Sequence, residues 1–167
     1  MSFIDSTQAP DHSNNYHLAH ANLLIESFQR ICGSPLLAPD LIKETPIDDV
    51  SLAKVLYDAD FVVVSHGTET DPIFNYANAR ALSLFELDWH DFVALPSRKS
   101  AEPVHRDERE RLMKTVTLQG FIDDYSGVRV SSSGKRFAIK SAMVWNLIDN
   151  QGVLHGQAAT FSSIEYL

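Results

Sequence analysis

The side chains of this 167-residue chain best placed to do chemistry fall into a few groups. His66-Gly67 with Thr68, Glu69 and Asp71 forms a polar turn after an apolar run. His66 can face a ligand there or act as a pH-sensitive contact, because its ordinary pKa lies near neutrality. The same residues also read as turn chemistry, with Gly67 bending the chain and Thr68 or Asp71 bonding local backbone. Asp123, Tyr125 and Arg129 stand at alternate positions of a strand-like run that also contains Gly127, and alternation turns Asp124 to the other face. A carboxylate, a phenol and a guanidinium in line can read a polar ligand or, with His66, do acid–base work; cross-strand pairing explains them too. Phe74, Tyr76, Phe85, Trp89 and Trp145 can wall an apolar pocket or simply fill a core. Arg98, between two short helices, can clamp a carboxylate or phosphate with its planar fork, or pair with Glu102 or Asp123. Asn146 and Gln157 lie on neighbouring strands, as amide readers of a ligand or as mutual partners.

Other chemistries lack their residues. His17 and His20 are spaced i, i+3 on a helix without a third ligand, so no metal site is expected. There is no glycine-rich phosphate loop and no nucleophile elbow. The only cysteine, Cys32, lies on an apolar helical stripe and reads as a buried structural thiol; no intrachain disulfide can form, which points to a reducing compartment. Lys plus Arg is 14 against 22 for Asp plus Glu, a formal charge of −8, so a nucleic-acid partner is not expected. MSFIDSTQAP lacks the basic flank and apolar core of a signal peptide, and no apolar run approaches the roughly 20 residues of a membrane helix. The expectation is a soluble cytoplasmic protein with no membrane partner.

The elements that must position these groups are legible from periodicity. After a flexible segment over residues 1–13, the spacing of Ala21, Leu24, Ile25, Phe28, Ile31 and Cys32 predicts an amphipathic helix from about Asn14, ended by Gly33 and Pro35. Thr45-Pro46-Ile47-Asp48 reads as the start of a second helix with the stripe Leu52, Val55, Leu56 and Ala59, so residues 14–59 form a helical extension. The core, 60–167, opens at Asp60–Leu95 with strand Phe61–Val64, the polar turn, the short segment Ile73–Tyr76, a helix after Asn78 and another after Asp88. Arg106–Gln119 is a longer helix, with charge pairs on its wet side and Leu112, Met113 and Val116 on its dry side. Phe121–Ser131, Arg136–Ile148 and Val153–Ile164 are strand-like runs joined by glycine-containing hairpin loops. In the middle run, alternation puts Phe137, Ile139, Met143, Trp145 and Leu147 on one face and Ala138, Ala142, Val144 and Ile148 on the other. A strand apolar on both faces needs a cover on both.

At the residue level the chain resembles the MEKHLA family, a PAS-like group. The matching pieces are SHGTETDPIFNYANARAL (65–82), LPSRKSAEPVHRDER (95–109), GFIDDYSGVRVSSSGKRF (120–137), VWNL (144–147) and GQAATF (156–161). Members occur at the C-terminus of plant homeodomain–leucine-zipper transcription factors and as stand-alone proteins in photosynthetic microbes and bacteria. This chain has neither homeodomain nor heptad zipper and resembles the stand-alone form, which puts a transcriptional role in doubt. The resemblance implies an α+β fold: a five-stranded antiparallel sheet of order 2-1-5-4-3, with short helices over one face and N-terminal helices flanking. It implies sensing or regulated protein contact and brings no catalytic residues. A small molecule or a partner would bind in or beside the aromatic pocket, and a homodimer or partner contact would run through the N-terminal helix. The alternatives are an acid–base enzyme or carrier using His66, Asp123 and Tyr125, and an interaction domain with a filled core. The cofactor is unknown. Cysteine-based flavin photochemistry needs a thiol in the helices beside the pocket, and residues 79–104 contain none. His105, beside Arg106 and Asp107, reads as a solvated helix start rather than a haem ligand.

Overall fold

A computed structural model describes residues 8–43, 46, 48–102 and 106–167; Thr45, expected as a helix cap, and His105 lie outside the described residues. Helices α1 (Leu18–Cys32) and α2 (Asp49–Asp58) lead to strands β1 (Val62–His66) and β2 (Phe74–Ala77). Helices α3 (Ala79–Phe85), α4 (Trp89–Phe92) and α5 (Arg106–Gln119) follow, then β3 (Phe121–Val130), β4 (Arg136–Ile148), β5 (Leu154–Phe161) and β6 (Ser163–Tyr166). The sheet is antiparallel with order β2-β1-β5-β4-β3, as expected, and β6 is a sixth strand paired with β4. Among the described residues no helix is long and apolar enough to cross a membrane.

Helix boundaries follow local chemistry. Asn15, Tyr16 and His17 are all left-handed, with φ near 55°, so α1 starts at Leu18 rather than Asn14. Gly33, also left-handed, ends it. Asp48 caps α2, its carboxylate accepting from Ser51 N at 2.8 Å. Asn78 and Asp88 cap α3 and α4 as expected.

A crease runs across the sheet. Asp124 on β3 and Ser141 on β4 have φ of 57° and 54°, and the strand is interrupted at Ser162 between β5 and β6. The pairing survives the crease: Met143 faces Thr160 and Lys140 faces Ser163, three residues on in both strands. What changes is which side chains share a face, because a left-handed residue resets the alternation. Phe137 and Ile139 therefore pack in one core with Ala142 and Val144, while Trp145 and Leu147 lie in the other, with Met143 at its margin. This corrects the face assignment that strict alternation gives.

Each face has its cover. On one side α1 packs across β4: the Phe28 ring meets Trp145 edge-on at 4.8 Å, and Trp145 Nε1 donates to Ser27 Oγ at 3.0 Å. On the other, α3, α4 and α5 enclose the core containing Phe74, Phe85, Phe92 and Phe137. The apolar stripe of α1 is thus buried against the chain's own sheet, as a helix flanking the sheet requires.

Candidate functional site

The site lies between the sheet and α5, under a strap formed by residues 95–101. Phe74 N donates to Leu95 O at 3.0 Å and Ser97 N to Pro72 O at 2.8 Å, tying the strap to β2. At its far end Ala101 bridges to Arg129 on β3, so the strap links the two outer strands of the sheet. Two amides hold α5 down: Asn146 Nδ2 donates to Val116 O at 2.9 Å, and Gln157 Nε2 to Met113 O and Thr117 Oγ1 at 3.0 and 2.9 Å. Gln157 Nε2 also reaches Asn146 Oδ1 at 3.2 Å, so the amides are mutual partners, and Asn146 is an anchor behind the cavity.

Beneath them is a cavity of about 50 Å³. Most of its wall is apolar: Val64, Phe74, Phe85, Met113, Ile139, Val144 and Phe161. Its polar groups are Ser65, His66, Ser100, Arg109, Tyr125, Arg129 and Gln157, and no acid among the described residues lines it. His66, Arg109, Met113 and Gln157 also line a larger outer cleft of about 410 Å³, bounded by the 67–72 turn, Arg98 and the outer side of α5. These residues form the partition between cavity and cleft.

The polar side of the cavity is cationic. Arg129 Nη2 donates to Tyr125 Oη at 2.9 Å and its Nη1 to Val128 O at 3.0 Å. Tyr125 lies over Gly127, where a Cβ would come within 2.5 Å of the phenolic oxygen, so glycine makes room for this pair. Arg109 Nη2 donates to Ser97 Oγ at 2.8 Å, and Arg109 Nε, fully buried, has no partner. Burial, and then the neighbouring Arg129 charge, bring Arg109 down to about 10. His66 is also pushed below its ordinary pKa, chiefly by burial; its Nδ1 lies 2.9 Å from Gly67 O. Gly156 lets β5 pass close to this corner, because a Cβ there would sit 1.9 Å from His66 O.

The structure sorts the expected residues. His66, Phe74, Phe85, Tyr125, Arg129 and Gln157 meet at the cavity. Tyr76, Trp89 and Trp145 lie in the opposite core, under α1 and α2, so they wall no pocket here. Arg98 is in the outer cleft, and its partner is Asp71, with Nε at 3.0 and 3.2 Å from the two carboxylate oxygens, not Glu102 or Asp123. Glu102 pairs with Arg136. Asp123 is exposed and lies close enough to Cys32 on α1 to raise its thiol, which burial chiefly pushes up to about 11. The crease at Asp124 has turned it away from Tyr125, so His66, Asp123 and Tyr125 do not converge. His17 Nε2 contacts Gln8 O at 2.7 Å and His20 Nε2 contacts Ser65 Oγ at 2.8 Å, so both imidazoles are engaged in structure.

Arg109 was missed. The signal was present: Arg109, Met113 and Val116 are spaced i, i+4, i+7, which puts the guanidinium on the dry stripe of α5. A segment dense in charge reads as solvated unless that spacing is checked.

The MEKHLA domain family matches residues 18–166. Among curated proteins no relative matches the chain. Solved structures similar to it are PAS and light-oxygen-voltage domains. One is the PAS domain of a protein from Colwellia psychrerythraea, at TM-score 0.58 and 13% identity, covering 69% of this chain and 92% of that one. A second is the PAS domain, in complex with ethanol, of a LuxR-family transcriptional regulator from Burkholderia thailandensis, at TM-score 0.51 and 16% identity, covering 68% and 95%. A third is a fungal light-oxygen-voltage photoreceptor, at TM-score 0.53 and 16% identity, covering 86% and 91%. At such identities the likeness is one of fold, and it matches the strand order and the helices over one face. With the family match spanning nearly the whole chain, this protein belongs to the MEKHLA domain family and has the α+β fold of PAS sensory domains.

Proposed function

We propose that this protein is a non-catalytic sensory module that takes a small molecule into the cavity beneath the strap and reports its occupancy through α5. The observation that carries this reading is the cavity itself: an apolar chamber with a few convergent polar groups, separated from an outer cleft by His66, Arg109, Met113 and Gln157. The PAS domain from Burkholderia thailandensis, described in complex with ethanol, gives a precedent for a ligand of this scale. Because Gln157 and Asn146 tie α5 to the sheet beside the cavity, a ligand that shifts Gln157 acts directly on the helix.

The rival acid–base reading loses its support in Asp123, which stands apart from Tyr125 and His66. The filled-core reading is separated by experiment. Thermal-shift screening against small metabolites, with native mass spectrometry of protein freshly purified from its source, is expected to reveal a stabilising or co-purifying ligand. If no compound shifts the melting temperature and the native mass equals that of the bare chain, the module is an interaction domain with a closed core. A dimer contact through α1 has to use its exposed residues Glu26, Gln29 and Arg30, because Phe28 is buried against Trp145. Light scattering of the wild type and of a Glu26→Arg, Arg30→Glu variant tests it; an unchanged mass in the variant would rule this surface out.

A further inference from the structure

Resting on the reading of the cavity as a ligand site, we infer that its ligand is a small organic monocarboxylate, held head-first by Arg109, Arg129 and Tyr125 with its short apolar tail among Phe74, Phe85 and Ile139. The first ground is an unmet demand. Arg109 is 9% exposed and Arg129 8%, and no carboxylate among the described residues pairs with either. Burying a guanidinium without a counter-charge is costly, and two facing one chamber add mutual repulsion to that cost. Arg109 Nε–H has no acceptor at all, although its Nη2 is placed by Ser97. The acids whose charge reaches Arg109, Glu110 and Asp71, are exposed and border the outer cleft, and Asp71 is taken by Arg98.

The second ground is shape and polarity, which select among anions. Planar forks bind two-oxygen acceptors well. A volume of about 50 Å³ holds roughly four water-sized groups at about 10–15 Å³ each. The polar groups are few, and most of the wall is hydrocarbon or aromatic. Phosphate or sulfate would press unpartnered oxygens against Phe74, Phe85 and Ile139, which is unfavourable. A carboxylate with one or two carbons beyond it meets both the volume and the mostly apolar wall.

The test is an NMR titration of the full chain, following the Nε–H resonance of Arg109 and the methyl of Met113. Sodium formate, acetate, propionate and butyrate are titrated at constant ionic strength against propionamide, sodium phosphate and sodium chloride. Propionate is expected to give saturating shifts at both probes and to bind at least about tenfold more tightly than propionamide, the margin of a charge-assisted hydrogen bond. Arg109→Met is expected to lose at least about tenfold in propionate affinity, and exposed Arg80→Met to bind as the wild type does. Arg109→Lys keeps the charge but not the fork and is expected to fall between them; the comparison of propionate with propionamide needs no variant. Equal binding of propionate and propionamide would overturn the anion inference while leaving a small-molecule pocket in place. Saturation by phosphate but not propionate would overturn the choice of a carboxylate. No shift with any titrant at roughly 50 mM, the weak end of what five or six heavy atoms supply at about 0.3 kcal/mol each, would overturn the pocket reading as well.

Discussion

Replacing Asn78 with alanine should be among the most damaging single changes in the protein. Asn78 has no exposed surface and uses its whole amide. Its Oδ1 accepts from Val63 N at 3.1 Å and from Ala81 N at 3.2 Å. Its Nδ2 donates to Phe61 O at 2.8 Å and to Leu56 O at 3.2 Å. One side chain therefore joins the end of α2, the first strand and the start of α3. Asn78→Ala removes a helix cap, worth about 1 kcal/mol, and takes from a buried N–H on β1 and from Phe61 O the partner the amide gave them, at about 1–3 kcal/mol for the donor alone, while Leu56 O keeps Ala59 N. A total near 3–5 kcal/mol is expected, a large share of the roughly 5–15 kcal/mol that holds a domain folded. With a urea m-value of about 2 kcal/mol/M, the midpoint should fall by roughly 1.5–2.5 M. Asn78→Asp refines the test, because it keeps both acceptors but turns an oxygen toward two carbonyls. Its folded pKa must rise above the unfolded value near 3.9, so the penalty grows as pH rises above about 4 and largely disappears below it. Urea titrations of both variants at pH 4 and pH 7 measure this. An alanine variant within 1 kcal/mol of wild type, or an aspartate variant with full stability at pH 7, would refute the account of Asn78 as the joint of the fold.

Other outcomes follow from single observations. The Tyr76 hydroxyl is buried without a partner, so Tyr76→Phe should cost nothing or stabilise by up to about 1 kcal/mol; a loss above 1 kcal/mol in the same assay would show a partner at that oxygen. His20 is held down to about 4, chiefly by burial, with its Nε2 against Ser65 Oγ, which in turn donates to Asn75 Oδ1 at 2.5 Å. Its folded value lies below the unfolded 6.5, so the unfolded chain binds the extra proton; stability should fall as pH drops from 6.5 to about 4, by about 3 kcal/mol, and level off below. His20→Gln should remove that slope, and a slope unchanged in the variant would assign it elsewhere. Gly156→Ala forces a Cβ against His66 O at a φ of +145°, so β1 and β5 must part at the site's mouth. A loss of about 3 kcal/mol and a melting temperature lower by roughly 6–12 °C are expected by calorimetry, and an unchanged melting temperature would refute the close approach.

What the sequence by itself determined is what local rules govern. The stripes of α1 and α2, the caps at Asn78 and Asp88 and the glycine hairpins depend on residues a few positions apart, and each was readable. The family resemblance added the strand order, which composition and periodicity do not contain. Tertiary structure decided the rest, and the crease is the clearest case. Nothing about Asp124 or Ser141 announces a left-handed residue, yet each resets the alternation. Asp123 thereby left the site, and Trp145 parted from Phe137. Trp89 and Tyr76 likewise went to the face under α1, because which core a helix end enters depends on packing rather than spacing. Arg109 lay between these cases. Its position on the dry stripe was local information, but that the stripe faces a chamber already holding Arg129, with no acid among the described residues to meet either charge, is a fact of three-dimensional assembly. Spacing can place a charge on the inner side of a helix; only the folded chain shows whether anything waits there to neutralise it.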